Sequence, residues 1–128
     1  MKEIVLKEFF EGQANAASLA SDLRGTAKIR GTASYYHIED MELDFEVRAE
    51  HLVRLCDAVL AGGLDPKDLE TVAFCLLASD AFHWDTNVGD GEVISETCCD
   101  WSEPRINYPL TRENVVKFRE RLLTLSIA

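Results

Sequence analysis

Met41-Glu-Leu-Asp-Phe-Glu-Val47 alternates apolar and acidic side chains without a break. A period of two is the pleat of a half-buried strand, so Met41, Leu43, Phe45 and Val47 are expected to face a core, with Glu42, Asp44 and Glu46 toward solvent. Upstream, Tyr36 and Ile38 share a phase that Met41 breaks by one residue, which a bulge or turn at Glu39-Asp40 repairs. Gly31 offers a turn back to an earlier strand around residues 27–30. This stretch makes the difference between an all-helical chain and a mixed one. It predicts an α+β fold, mainly helical, with a small antiparallel sheet over about residues 27–47.

Helical periods surround that segment. Residues 3–11 place Val5, Leu6, Phe9 and Phe10 on one face and Glu3, Lys7, Glu8 and Glu11 on the other, with Glu3–Lys7 as an i,i+4 pair. Asn15 is a cap for a short helix over about 15–24, with Ala16, Leu19, Ala20 and Leu23 inward and Gly25 as its stop. In 49–61, Leu52, Leu55, Cys56, Val59 and Leu60 recur at helical spacing before Gly62-Gly63. Asp65-Pro66-Lys67-Asp68 combines an acidic cap, proline at the first helical position and a second acid in the first turn. The helix it opens, about 66–79, is apolar nearly all round and is expected at the centre of the fold. Residues 80–91 read as a loop. Residues 92–101 are open to two readings: as a helix Val93, Ile94, Thr97, Cys98 and Trp101 share one face, as a strand the alternation is poorer, and the helix is preferred. A proline-marked connector leads from there to a last helix over about 112–125, with Val115, Phe118, Leu122 and Leu125 inward.

The chain has 128 residues, 47% of them apolar and 28% charged. That length and mixture suit one globular domain spanning 1–128, with a core large enough to need no disulfide or metal staple. No apolar run reaches the roughly 18 residues of a membrane span. The N-terminal residues are charged and lack the apolar stretch of a secretory signal. The four cysteines, Cys56, Cys75, Cys98 and Cys99, follow no framework spacing and form no C-x-x-C pair. They read as reduced thiols of a cytoplasmic protein.

Thirteen Lys and Arg against 23 Asp and Glu leave a net charge of −10. A field of that sign repels nucleic-acid backbones and anionic membranes and favours a basic protein partner. Residues 1–34, two short helices and a strand pair, have the order of a winged helix-turn-helix but no basic face. The acids are concentrated. No Lys or Arg lies between Arg30 and Arg48, an interval with Glu39, Asp40, Glu42, Asp44 and Glu46, or between Lys67 and Arg105, an interval with nine acids. On a strand, Glu42, Asp44 and Glu46 would project from one face about 7 Å apart. Asp85 in the 80–92 loop extends the candidate surface, with Trp84 and Tyr108 as aromatic anchors.

Chemical motifs are weaker. Asp85, Asn87, Asp90 and Glu96 offer oxygen atoms in a twelve-residue stretch, but Gly89 and Asp90 stand at its fifth and sixth positions, where a calcium loop needs a ligand and a glycine. His83-Trp84-Asp85 sets an imidazole beside a carboxylate, the raw material of a general base, with no nucleophile at a recognisable spacing. His37 and His51 read as isolated, partly exposed side chains. Cys98-Cys99 has no companion ligands. No phosphate-binding glycine loop, dinucleotide fingerprint or zinc-protease helix occurs.

Through Ser79-Asp80-Ala-Phe-His-Trp-Asp85 and Asp100-Trp-Ser-Glu-Pro-Arg-Ile-Asn-Tyr-Pro-Leu-Thr111, the chain resembles small acidic bacterial proteins of unassigned activity. In size, charge and lack of a catalytic motif it is similar to the immunity proteins of toxin–immunity pairs. The resemblance is one of general character and carries over no individual residue; no cofactor and no metal are expected, and an enzyme is the less favoured class. The leading reading is therefore an acidic interaction domain, with homo-oligomerisation compatible. The alternative is a divalent-metal-binding or small hydrolytic protein centred on His83, Asp85, Asp90 and Glu96.

Overall fold

Six helices carry most of the chain in a computed structural model that describes residues 1–24, 27–30, 33–36, 38–87, 89–106 and 108–125. They are α1 (Glu3–Phe10), α2 (Ala16–Leu23), α3 (Ala49–Leu60), α4 (Asp68–Ala78), α5 (Gly91–Ser102) and α6 (Arg112–Leu125). The local signals behave as chemistry dictates. The Asn15 side chain accepts the Ser18 backbone N–H at 2.8 Å and starts α2. At the start of α4, Asp65 accepts the Lys67 N–H at 2.9 Å while Asp68 reaches back to the Asp65 N–H at 3.0 Å. The two aspartates thus satisfy backbone N–H groups on either side of Pro66 ahead of the helix. Its first turn is tight, so regular α-helix begins at Asp68. After α3 the chain reverses through Gly62, whose φ of 88° is a left-handed value that a side chain resists.

The core runs through all six helices. Leu6, Phe9 and Phe10 of α1 and Leu19 and Leu23 of α2 are buried. So are Leu52, Leu55, Cys56 and Val59 of α3 and Leu69, Val72, Ala73, Cys75 and Leu76 of α4. The α5 face expected from its periodicity, Val93, Ile94, Thr97, Cys98 and Trp101, is buried as a set. Val115, Phe118 and Leu122 close the core from α6, while the side chain of Leu125 lies outside the described residues. α3 packs on α6 and α4 on α5. Arg112 ties the first of these pairs by donating to the carbonyls of Val59 at 3.1 Å and Leu60 at 2.7 Å, the open end of α3. α4 is less central than its composition implies, because Phe74 and Leu77 reach the surface. No helix among the described residues is long and apolar enough to cross a membrane.

The expected antiparallel sheet over 27–47 does not form, and the fold is mainly helical. Among the described residues, β1 (Ala27–Arg30) and β2 (Ala33–Tyr36) pair only with each other, as an antiparallel ribbon. The turn expected at Gly31, the stop at Gly25 and His37 lie outside the described residues, as does the side chain of Tyr36. Of the 41–47 stretch only β3 (Phe45–Glu46) is strand, and its partner is β4 (Phe82–His83), inside the segment expected to be loop. The pairing is parallel, with α3 and α4 forming the crossover that parallel strands require.

The reason lies at α1. Glu3, expected on the exposed face opposite Phe9, is only 1% exposed, and Lys7 pairs instead with Glu11 at 2.7 Å. The Glu3 carboxylate accepts the Met41 N–H at 2.9 Å. Backbone bonds from Glu39 to Met1 and from Glu3 to Glu39 strap the same segment to the start of α1. Glu39, where a bulge or turn was expected, is thus bridged to Lys2 in parallel. Held there, the chain bends at Glu42-Leu43, and Leu43 turns outward with 56% of its surface exposed. A tertiary hydrogen bond has overridden a strand pattern.

Candidate interaction surface

The β3–β4 pair is fixed from both sides. Phe45 donates its N–H to the Ala81 carbonyl at 2.8 Å and Val47 donates to His83 at 2.9 Å. Inward, the half-buried Phe45 ring stacks on Phe10 at 5.8 Å and meets Phe82 edge-on at 6.0 Å. Val47 is buried. Outward, Glu46 and His83 stand side by side in register, both exposed.

Two acid-rich intervals meet here. Asp44 and Asp80 flank the beginning of the pair, and Glu46 and Asp85 flank its end; all four are exposed. Glu39, Asp40 and Glu42 continue the exposed acids upstream, and Glu92 follows downstream at the start of α5. The regular 7 Å row expected for Glu42, Asp44 and Glu46 is absent, since only Glu46 lies in a strand. In its place is an irregular surface with the Leu43 side chain protruding between Glu42 and Asp44.

A hollow of about 220 Å³ opens at the end of the pair, lined by Glu46, Val47, Arg48, Trp84, Asp85, Asp90 and Gly91. Arg48 is the cation within it, 3.3 Å from Glu46 and 3.6 Å from Asp90. A half-exposed pair such as Arg48–Glu46 contributes about 1 kcal/mol at most, so toward Glu46 Arg48 organises the carboxylate more than it stabilises the fold. Asp90 is the structural member. Its Oδ2 accepts the Ala49 N–H at 2.6 Å, capping α3 from the start of α5. Asp85 turns its own loop by accepting the Asn87 N–H at 2.9 Å. Its carbonyl packs against Gly91, where a Cβ would lie 1.8 Å from the oxygen.

Trp84 is half-buried, and its indole N–H donates to Ser95 Oγ at 2.7 Å, so it anchors the loop to α5. Tyr108 is elsewhere. It lies edge-on to Phe118, 52% exposed, over the groove between α5 and α6 beside Lys117 and Arg121. The structure therefore gathers Asp44, Glu46, Trp84 and Asp85, leaves Glu42 on the adjoining bend and places Tyr108 among a different set of neighbours. His51 is neither isolated nor mainly exposed. Its ring is half-buried against Phe10 and Phe45, and its Nδ1 accepts the Arg48 N–H at 2.8 Å. Its place three residues after the cap residue Arg48 was the available signal, because that position suits an acceptor that reaches back. Nothing local marks Glu3.

Chemistry has little to work with. Among the described residues no three His, Cys, Asp or Glu side chains are placed to hold one metal ion. Asp90 is committed to α3 and Arg48, and His83 points to solvent. Burial pushes the thiols of Cys56, Cys75 and Cys98 up to about 12, which makes them inert core residues; Cys99 is exposed. No family model, curated protein or solved structure matches the chain.

Proposed function

We propose that this chain is a non-catalytic interaction domain, an immunity-type inhibitor in character, that offers the acidic surface of residues 39–46 and 80–92 to a basic protein partner. One observation carries the reading: the parallel β3–β4 pair joins two base-poor, acid-rich intervals, far apart in sequence, into one edge. Converging carboxylates on a fixed frame raise the encounter rate with a cationic surface and discriminate against anionic ones. Leu43 supplies an exposed apolar contact within the charged field. The same charge disfavours nucleic acid and anionic membranes as partners, and four free thiols suit the reducing cytoplasm.

The test is capture from an extract of the source cells by the wild-type chain and by a Glu42→Lys, Asp44→Lys, Glu46→Lys variant, with the retained proteins identified and their association rates measured. A basic protein held by the wild type should associate roughly tenfold more slowly with the variant, and association should slow steeply with added salt. Retention indifferent to both perturbations would remove this surface as the binding site.

A further inference from the structure

His51 links helix α3 to the strand that displays the acids. Its ring centroid lies 5.1 Å from that of Phe10 and 5.0 Å from that of Phe45. Because Nδ1 accepts the Arg48 N–H, the ring is neutral, with its proton on Nε2. An imidazolium has two donors and no acceptor. Protonation would set N–H against N–H and add positive charge at the positive end of the α3 dipole. The charged groups around the ring are Glu50 and Arg54 on α3, Arg48 before it and Asp90 from the start of α5. Nε2 is 3.8 Å from Glu50, whose carboxylate is largely solvated and so a weak counterweight. The faces that α1 and β3 turn to the ring are the aromatic rings of Phe10 and Phe45.

We propose that His51 is a proton-operated latch on the interaction surface: when the ring is protonated, the start of α3 lets go of Arg48, and β3, with Asp44 and Glu46 at its ends, loosens from β4. The latch itself stands on the His51 geometry; its consequence, release of a basic partner on acidification, rests on the function proposed above. Burial holds the pKa of His51 below the ordinary value of about 6.5, so the latch is closed at neutral pH. In the unfolded chain the ring takes up its proton near 6.5, before the folded ring does. The stability it contributes is thus complete above that pH and is lost as pH falls below it.

The discriminating variant is His51→Gln in the intact chain, because glutamine at this helix position keeps the acceptor and does not titrate. Between pH 7.5 and 5.5 the wild-type Tm should fall by roughly 3 °C more than that of the variant. Amide-exchange protection at Phe45 and Val47, whose N–H groups bond to β4, should fall roughly fivefold in the wild type and hold in the variant. In wild-type protein alone, the NMR shift of the Arg48 amide should track the titration of the His51 ring, which keeps the test intact if the variant folds poorly. Equal Tm slopes, unchanged protection at Phe45 and Val47, or a His51 ring that titrates at or above 6.5 would overturn the latch. Protection that responds while binding of the captured partner does not would leave the latch standing and refute the interaction reading.

Discussion

Replacing Gly91 by alanine sets two physical effects against each other, and the structure decides the sign. Gly91 is the first residue of α5, and alanine there should stabilise the helix by up to about 1 kcal/mol on propensity alone. The added Cβ, however, would sit 1.8 Å from the Asp85 carbonyl oxygen, 2.5 Å from its carbon and 3.0 Å from Thr86 Cα. All three are backbone atoms, so no rotamer change relieves them. To reach even 3.0 Å from that oxygen, the 85–86 segment and α5 must part by about 1.2 Å. Neighbouring ties resist this. Trp84 is bound to Ser95 on one side, and Asp90 is bound to the first turn of α3 on the other. Forced overpacking of a fitted site costs roughly 1–3 kcal/mol. A Cβ 1.8 Å from a backbone oxygen belongs in the upper part of that range, so after the propensity gain is set against it the variant should lose about 1–2 kcal/mol, a Tm decrease of roughly 4–8 °C for a chain of this size. Thermal melts and urea titrations give the value directly, with the midpoint expected to fall at unchanged m. A Gly91→Ala protein as stable as wild type, or more so, would refute the packing described between Asp85 and α5.

Three further outcomes are expected. Glu3→Ala leaves the part-buried Met41 N–H without its acceptor and should cost about 1 kcal/mol, whereas Glu3→Gln should recover most of that; urea unfolding distinguishes them. Arg112→Ala uncovers the Val59 and Leu60 carbonyls at a partly exposed helix end and should cost about 0.5–1.5 kcal/mol, read from the same titrations. In the folded protein an aromatic disulfide reagent at pH 8 should modify Cys99 rapidly, while Cys56, Cys75 and Cys98 react only on unfolding; a second fast thiol would contradict their burial.

The helices were legible because their signals are local. Asn15, the Asp65–Asp68 pair and the inward set of α5 each depend on residues within a turn or two of one another. The 41–47 alternation was legible too, but its meaning was not local. Phe45 and Val47 do face inward, yet Leu43 does not, because Met41 is held by a carboxylate 38 positions earlier in the chain. A two-residue parallel strand has no pattern long enough to show a period, so β4 was hidden in a turn-rich segment. Of the candidate surface, the sequence disclosed the acids and the aromatic Trp84 but not their union. Tyr108 illustrates the opposite failure, since an exposed aromatic looks the same in sequence wherever the fold sets it down. His51 was missed for a different reason. Its position three residues after Arg48 was visible, but the helix start that gives that position its meaning was not marked by a capping side chain.

The two-residue ribbon between Phe45 and Phe82 closes a segment that contains both α3 and α4. Closing so long a loop is entropically uphill until the enclosed helices dock, so the ribbon belongs among the late, non-local contacts of folding. The negatively charged edge is consequently a property of the finished tertiary structure. A synthetic peptide spanning residues 39–46 would have the right charges and none of the presentation. It should compete poorly with the intact protein, and a partner reading this edge would be inspecting whether the domain has folded.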